Sequence, residues 1–165
     1  MSALNTLIIF GAQYLYLVII IAALVYLWRQ PKELRWKIAL MAVLALPLTY
    51  IVAKIISNFY YDPRPFVVGQ FTPLLPHGAD NGFPSDHTLL SSAVAAVIFF
   101  FHRKLGLWLF AVAFAVGASR VFAGIHHFAD IFGSMVIAFV VTYVVFEYIF
   151  PKVWGRLSKK YPETF

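Results

Sequence analysis

LIIFGAQYLYLVIIIAALVYLW, residues Leu7–Trp28, is an apolar stretch without a charged residue. A helix of about 20 such residues crosses the hydrocarbon core of a bilayer. Four further apolar stretches follow, at Trp36–Phe59, Ser85–Phe101, Leu105–Ala123 and Asp130–Phe150. As a helix, the shortest of them is still about 25 Å long, close to the hydrocarbon thickness. The pattern predicts an all-α integral membrane bundle of about five transmembrane helices.

The composition favours a single membrane domain over residues 1–165. Of the 165 residues 62% are hydrophobic and 12% are charged, and the mean hydropathy is +0.81. A chain this short has no interior large enough to bury so much apolar surface, so that surface must face lipid. The absence of cysteine excludes disulfides, thiolate metal sites and cysteine nucleophiles. The net charge of +6 lies in short loops and does not indicate a nucleic-acid partner.

The basic residues predict the orientation of the bundle. They lie after the first, third and fifth stretches: Arg29, Lys32, Arg35, Lys37, Arg103, Lys104, Lys152, Arg156, Lys159 and Lys160. Five crossings put these regions on one side, which the positive-inside rule makes cytoplasmic. The tryptophans belong to the same interface: Trp28, Trp36, Trp108 and Trp154. We expect a multi-pass plasma-membrane protein with its N-terminus outside and its C-terminus in the cytoplasm.

Polar residues of unusual type gather on the opposite, outer side. Several segments contribute them, and one of these is a long loop rich in proline and glycine, Tyr60–Pro84. The residues are Lys54, Arg64, Ser85, Asp86, His87, Ser119, Arg120, His126 and Asp130. Ionisable groups at membrane depth are costly and are functional candidates. The remaining histidines, His77, His102 and His127, are interpreted as surface or packing residues.

The cationic residues of this outer group are suited to binding phosphate. Lys54, Arg64 and Arg120 supply positive charge, and arginine binds phosphate oxygens through two parallel hydrogen bonds. The sequence Pro84-Ser85 is typical of a helix start. A helix N-terminus adds free backbone N–H groups and the positive end of the helix dipole. In isolation, each feature also fits a helix cap or an interfacial anchor.

The histidines of the group supply a nucleophile and an acid. His126 and Asp130 are four residues apart, which places them on one face of a helix. The carboxylate can then hold the imidazole in the tautomer whose free nitrogen faces the substrate. His87 comes from another helix and fits a general acid for the leaving oxygen. On its own, the His126/Asp130 pair also fits a structural hydrogen bond.

Three motifs identify a resemblance to a known family. Arg64-Pro65, Pro84-Ser85-Asp86-His87 and Ser119-Arg120-x5-His126-x3-Asp130 resemble the signature motifs of the type 2 phosphatidic-acid phosphatase superfamily. The resemblance implies a helical membrane core and a metal-independent phosphatase that needs no cofactor and forms a phosphohistidine. It makes His126 the nucleophile, Asp130 its orienting partner and His87 the acid. The residues implied to hold the phosphate are Lys54, Arg64, Ser85 and Arg120.

The chain departs from the family pattern at two positions. The lysine of the first motif is usually separated from Arg-Pro by six residues, a position that is Ser57 here, whereas Lys54 lies about one helical turn earlier. The second motif usually has glycine where this chain has Asp86. The sequence around it, GADNGFPSDHT, is most similar to bacterial undecaprenyl-diphosphate phosphatases, and so is YYDPRPF at Tyr60–Phe66.

The substrate expected from this resemblance is a lipid phosphate or diphosphate, because the cations lie at headgroup depth beside lipid chains. Undecaprenyl diphosphate is the first choice, with hydrolysis on the extracytoplasmic side. Phosphatidylglycerophosphate and phosphatidate are alternatives. A non-enzymatic or haem-binding membrane subunit is the alternative from another class, but it leaves the outer basic residues unexplained.

Overall fold

The computed structural model describes residues 2–161, so Met1 and residues 162–165 of the predicted domain lie outside the described residues. The described chain is all-helical, as predicted. Its helices are α1 (Ala3–Trp28), α2 (Lys32–Ser57), α3 (Pro65–Val68), α4 (Asp86–Phe101), α5 (Arg103–Phe122), α6 (Phe128–Val144) and α7 (Phe150–Lys160), with a π-helical segment, Val145–Ile149, before α7. The five predicted stretches therefore all form helices.

The spans differ from the prediction in length. Four helical stretches are long and apolar enough to cross a membrane: α1, α2, α5 and the continuous run Phe128–Lys160. Helix α4 has 16 residues, about 24 Å of helix, and is shorter than a typical span. The last stretch does not end at Phe150, because Pro151 stands in the first turn of α7, where a missing N–H is tolerated.

Helix α4 lies at the centre of the bundle and packs against α1, α2, α5 and α6. It can do so because small residues make up much of its surface. Ser91, Ser92, Ala93, Ala95 and Ala96 are all buried. Small side chains let neighbouring helix backbones approach closely in a membrane. The central position of α4 fixes its first turn, at Asp86 and His87, among the ends of the surrounding helices.

The two ends of the bundle differ in chemistry. At one end, the Lys37 ammonium lies 5.3 Å from the ring centroid of Trp154, so the start of α2 meets α7. At the same end, Tyr26 contacts the ring of His102 at 5.6 Å, so the α4–α5 junction lies beside the end of α1. The three basic regions thus share one end. The outer polar residues lie at the other.

Cysteine labelling is expected to give the orientation of these ends. Gly78 is exposed, and a side chain there would meet nothing closer than 3.9 Å, whereas Glu33 is exposed at the basic end. We expect Gly78→Cys to react with an impermeant maleimide on intact cells, and Glu33→Cys to react only after permeabilisation. The native chain has no cysteine and is its own blank. Labelling of position 33 but not of position 78 in intact cells would show that the orientation is the reverse of the predicted one.

Candidate active site

A polar cavity of about 430 Å³ opens at the end of the bundle opposite the basic loops. Five of the seven predicted site residues line it: Lys54, Arg64, His87, Arg120 and His126. They come from α2, the loop after α2, α4, α5 and the loop before α6. Charged groups from separate segments therefore meet in one cavity, as the topology predicted from the sequence requires.

The His126 ring is held between a carboxylate and a guanidinium. Its Nδ1 lies 3.1 Å from Oδ2 of Asp130, and its Nε2 lies 3.3 Å from Nη1 of Arg64. Arginine has donors only, so Nε2 must be the acceptor and the proton must be on Nδ1. Burial lowers the pKa of His126, and the charges of Arg120 and Arg64 lower it further, whereas Asp130 opposes the shift. The neutral ring thus presents a lone pair on Nε2.

Asp130 and the loop before it are fixed by buried contacts. Asp130 is fully buried, and its Oδ2 also accepts a hydrogen bond of 2.9 Å from the backbone N–H of His127. A side chain added at Gly82 would lie 3.2 Å from this Oδ2. The Ser134 hydroxyl donates to the Asp130 carbonyl at 2.6 Å. The carboxylate that orients His126 therefore has little freedom to move.

Arg64 is buried, and each of the three nitrogens of its guanidinium has a contact. Nε donates to Asp80 at 2.7 Å, Nη1 donates to the Ile125 carbonyl at 2.8 Å, and Nη2 lies 3.4 Å from the Asn81 carbonyl. The hydrogen bond from Arg64 lowers the pKa of Asp80. These contacts hold Nη1 beside Nε2 of His126, where it can meet a phosphate oxygen.

Arg120 enters the cavity from α5 and meets a histidine that the sequence interpretation left aside. Its Nη1 donates to the Ala12 carbonyl at 3.1 Å, and its Nη2 lies 3.4 Å from Nε2 of His77. His77 lines the cavity, and its ring centroid is 6.2 Å from that of His126. Burial, followed by the charges of Arg64 and Arg120, lowers the pKa of His77. His77 is therefore a neutral neighbour of the site.

The N-terminus of α4 presents His87 and not Ser85. His87 lines the cavity and packs edge-on against Tyr16 at 5.0 Å. Ser85, implied by the motif to hold phosphate, is fully buried and does not line the cavity. Its hydroxyl accepts a hydrogen bond of 3.1 Å from Thr88, and its carbonyl lies 3.2 Å from the Ser134 hydroxyl. In this structure Ser85 connects α4 to α6.

Lys54 and Asp86, the two departures from the family pattern, contact each other. Lys54 Nζ lies 3.3 Å from Asp86 Oδ1, and the two side chains are 46% and 61% exposed. The ammonium also lies 5.2 Å from the ring centroid of Tyr50. Both charged residues line the cavity, at a more exposed level than Arg64, Arg120 and His126.

Asn81 supports the site, although no motif in the sequence marked it. Its Oδ1 accepts hydrogen bonds from the backbone N–H groups of Asp62 and Phe83 at 2.9 and 3.0 Å. Its Nδ2 donates to the carbonyls of Ser57 and Tyr60 at 3.1 and 2.9 Å. One side chain thus connects both ends of the long loop to the end of α2. The GADNGFPSDHT segment that contains Asn81 indicated a family resemblance but no role for this side chain.

Asp62, His127 and Asp130 form a group of potential metal ligands, with one ligand atom of each within 4.8 Å of the others. The group lies behind His126, and none of its members lines the cavity. Asp62 Oδ2 is 2.9 Å from His127 Nδ1, and Asp130 Oδ2 already contacts His126 and the His127 N–H. Burial, followed by the nearby Asp130, raises the pKa of Asp62. These contacts fit a hydrogen-bonded support better than a cation site.

Known proteins share both the sequence and the fold. The bacitracin transport permease protein BcrC of Bacillus licheniformis is 36% identical over 132 residues, which are 79% of this chain and 64% of that protein. The undecaprenyl-diphosphatase BcrC of Bacillus subtilis (strain 168) is 29% identical over 150 residues, covering 89% of this chain and 76% of that protein. The crystal structure of Aquifex aeolicus LpxE has the same fold, with a TM-score of 0.69 and 24% identity over 90% of this chain and 88% of that chain.

A family model extends this likeness over most of the chain. The model described as the PAP2 superfamily matches residues 36–154, a range that contains all three motifs. Together with the four apolar helices that are long enough to span a bilayer, the match makes the chain a multi-pass membrane protein. The resemblance predicted from the motifs is therefore confirmed, and the chain belongs to the PAP2 superfamily.

Proposed function

We propose that this chain is a membrane phosphatase that hydrolyses a lipid phosphate or diphosphate through a phosphohistidine intermediate on His126. One observation supports this most strongly. His126 binds Asp130 through Nδ1 and faces Arg64 through Nε2. The ring is therefore in the tautomer of a nucleophile, and a buried cation lies beside the attacking atom.

In the first step, Nε2 of His126 attacks the phosphorus of the substrate. A P–N bond forms, and the P–O bond to the lipid oxygen breaks. His87, which takes up a proton as the anionic substrate binds, gives this proton to that oxygen, which leaves as the lipid alcohol or the lipid phosphate. The charge on the phosphoryl oxygens is stabilised by Arg64 and Arg120, while Asp130 stabilises the positive charge that develops on the ring.

In the second step, water hydrolyses the phosphohistidine. His87, now neutral, removes a proton from the water as it attacks phosphorus. The P–N bond breaks, inorganic phosphate is released, and Nε2 of His126 regains its lone pair. This return path uses the same residues in reverse and needs no other reactant.

We propose undecaprenyl diphosphate as the preferred substrate, bound from the extracytoplasmic leaflet. The name of the Bacillus subtilis relative supports this choice, because that protein aligns over 89% of this chain. The alternatives are phosphatidylglycerophosphate and phosphatidate. All three carry a phosphate or diphosphate in the headgroup of a lipid, and the position of the cavity at the end of an apolar bundle supports a substrate of this kind.

The alternative of a non-enzymatic or haem-binding subunit is less well supported. Haem iron needs a ligand nitrogen free to bind it. His126 and His87 line a polar cavity beside Arg64 and Arg120, cations that a haem-binding role leaves unexplained. His102 lies at the opposite end of the bundle, where its Nδ1 accepts a hydrogen bond from the Leu105 N–H. A binding role alone also leaves the His126–Asp130 pair without a purpose.

Phosphate release from defined lipids tests the proposed function. Purified protein in detergent is given undecaprenyl diphosphate, phosphatidylglycerophosphate and phosphatidate at equal surface concentrations. We expect the highest kcat/KM with the diphosphate. A higher kcat/KM with either glycerolipid would make that lipid the preferred substrate. No phosphate release from any of the three would contradict the phosphatase proposal.

The pH dependence of kcat/KM is expected to show the lowered pKa of His126. The free base must attack, so activity falls as the pH drops through the pKa of this ring. Because burial and two arginines lower that pKa, the acid limb is expected below the ordinary histidine value of about 6.5. Asp130 acts in the opposite direction, so Asp130→Asn is expected to shift the limb to still lower pH. An acid limb above the ordinary value would contradict the assignment.

Activity is expected to survive a chelator. Arg64 and Arg120 supply the positive charge that a metal would provide, and the nearest group of ligand atoms lies behind His126. We expect the same initial rate with and without excess EDTA. Loss of activity in EDTA, restored by magnesium but not by sodium, would assign a metal to the reaction.

A further inference from the structure

The Lys54–Asp86 ion pair lies where the polar cavity meets an apolar groove. Asp86 lines the polar cavity and also a second cavity of about 240 Å³ between α2 and α4. Leu46 and Leu90 belong to that second cavity and also to a third one, of about 230 Å³, which continues along the same two helices and is closed on one side by α1. The three cavities thus follow one another from the site into the apolar part of the bundle.

The charged groups differ in exposure, and this difference gives their order along the path from the polar cavity to the apolar groove. Arg64, Arg120 and His126 are at most 5% exposed, whereas the Lys54 and Asp86 side chains are 46% and 61% exposed. A lipid substrate with its terminal phosphate at His126 and its apolar chain between α2 and α4 must pass the ion pair between them. For a diphosphate, the group at that point is the second phosphate.

We propose that Lys54 binds the phosphate that is not transferred, and that this contact makes the site prefer lipid diphosphates to lipid monophosphates. The inference rests on the proposed phosphatase function. Asp86 holds the Lys54 ammonium at the junction when substrate is absent. When a diphosphate binds, its second phosphate takes the place of Asp86 as the partner of Lys54.

The geometry of the pair suits such an exchange. It consists of a single contact of 3.3 Å between two partly exposed groups, and exposed ion pairs of this kind add little stability. A phosphate oxygen is a strong acceptor for an ammonium group. The Tyr50 ring, 5.2 Å from the ammonium, gives Lys54 a second contact that keeps it at the junction during the exchange.

The proposal makes opposite predictions for the two partners. Lys54→Gln removes the cation that binds the second phosphate. Asp86→Asn removes the anion that competes with this phosphate. If the pair were only structural, both substitutions would break it and would change substrate preference in the same way.

The test compares farnesyl diphosphate with farnesyl phosphate, which have the same chain, using the purified protein in detergent. The measured quantity is the ratio of kcat/KM for the diphosphate to that for the monophosphate. We expect a ratio above unity for the native chain, a fall of about tenfold in Lys54→Gln, and no fall in Asp86→Asn. Lys104→Gln, an exposed lysine at the opposite end, is the matched control and should keep the native ratio.

Several outcomes would overturn the inference. Equal loss on both substrates in Lys54→Gln would place this lysine on the transferred phosphate, as the motif resemblance implies. A fall of the ratio in Asp86→Asn would make the pair structural, and a native ratio of unity would remove the preference itself. A native protein that hydrolyses neither substrate would instead contradict the proposed function.

Inhibition of the native protein gives a second test that does not depend on any variant. Inorganic diphosphate presents two phosphates to the site and inorganic phosphate presents one. We expect competitive inhibition by diphosphate at a concentration about tenfold lower than by phosphate. Equal inhibition constants would contradict a second phosphate subsite.

Discussion

His126→Ala is expected to abolish phosphate release, with a fall in kcat of about ten thousandfold or more, because the chain loses the atom that forms the P–N bond. The loss should be the same for a nitrophenyl ester as for a lipid phosphate, since no leaving group compensates for a missing nucleophile. His87→Ala should retain relatively more activity on the nitrophenyl ester, whose leaving group needs less protonation. Initial rates on both substrates measure the difference.

His127→Ala is the matched control for the nucleophile. Its ring is 40% exposed and contacts Asp62, and the contact that orients Asp130 comes from the backbone N–H, which alanine keeps. We expect a loss of about tenfold at most, because only the Asp62 contact disappears. If His127→Ala were inactive and His126→Ala active, the nucleophile would be His127 and not His126.

Arg64→Lys is expected to lower kcat/KM by about a hundredfold or more, although the charge is kept. A lysine carries its N–H groups on one nitrogen, so it cannot reach Asp80, the Ile125 carbonyl and a phosphate oxygen from separate, fixed positions as the guanidinium does. The loss should appear mainly in kcat, because the cation beside Nε2 of His126 acts on the charge of the transition state. Steady-state kinetics on a soluble phosphate ester separate kcat from KM.

Arg103→Lys at the start of α5 is the control for that substitution. Arg103 lies over the Phe99 ring, 5.4 Å from its centroid, at the basic end of the bundle. We expect native kinetics from this variant. Native kinetics from Arg64→Lys as well would mean that the guanidinium beside His126 is not used in the reaction.

The helices could be predicted because apolar length alone identifies them. Two helices, α4 and the last one, differ in length from the predicted spans, and each difference has a local cause. Helix α4 is central, and its own small residues let other helices pack on several of its sides, so it does not need the length of a lipid-facing span. The last helix passes Pro151 because a π-helical segment precedes it and the proline stands in the first turn that follows. Neither arrangement is visible in hydropathy.

The site could be predicted only where residue type and spacing determine it. The four-residue spacing of His126 and Asp130 predicted a contact that the structure contains at 3.1 Å, but the predicted shared helix face is wrong, because α6 begins at Phe128 and His126 lies in the loop before it. Ser85 stands in a motif, yet its hydroxyl meets Thr88 one turn along α4. Asn81 and His77 lie in an irregular loop, so their contacts depend on how that loop folds across α2 and α5. No periodic pattern in a sequence predicts the contacts of an irregular loop.

The Lys54–Asp86 contact could not be predicted from the sequence either. The sequence marked both residues as departures from the family pattern, at positions 32 residues apart. Only the packing of α2 against α4 brings them together. Two departures that seemed independent in the sequence are therefore one feature of the cavity rim.

Trapping of the intermediate tests the central claim most directly. Purified protein is mixed with a lipid diphosphate that contains radioactive phosphorus in its terminal phosphate, and the reaction is stopped by denaturation within one turnover. We predict a covalent label that is lost in acid, survives in alkali, maps to His126 and is absent from His126→Ala. A label that is stable in acid, that maps to another residue, or that persists in His126→Ala would contradict the phosphohistidine mechanism.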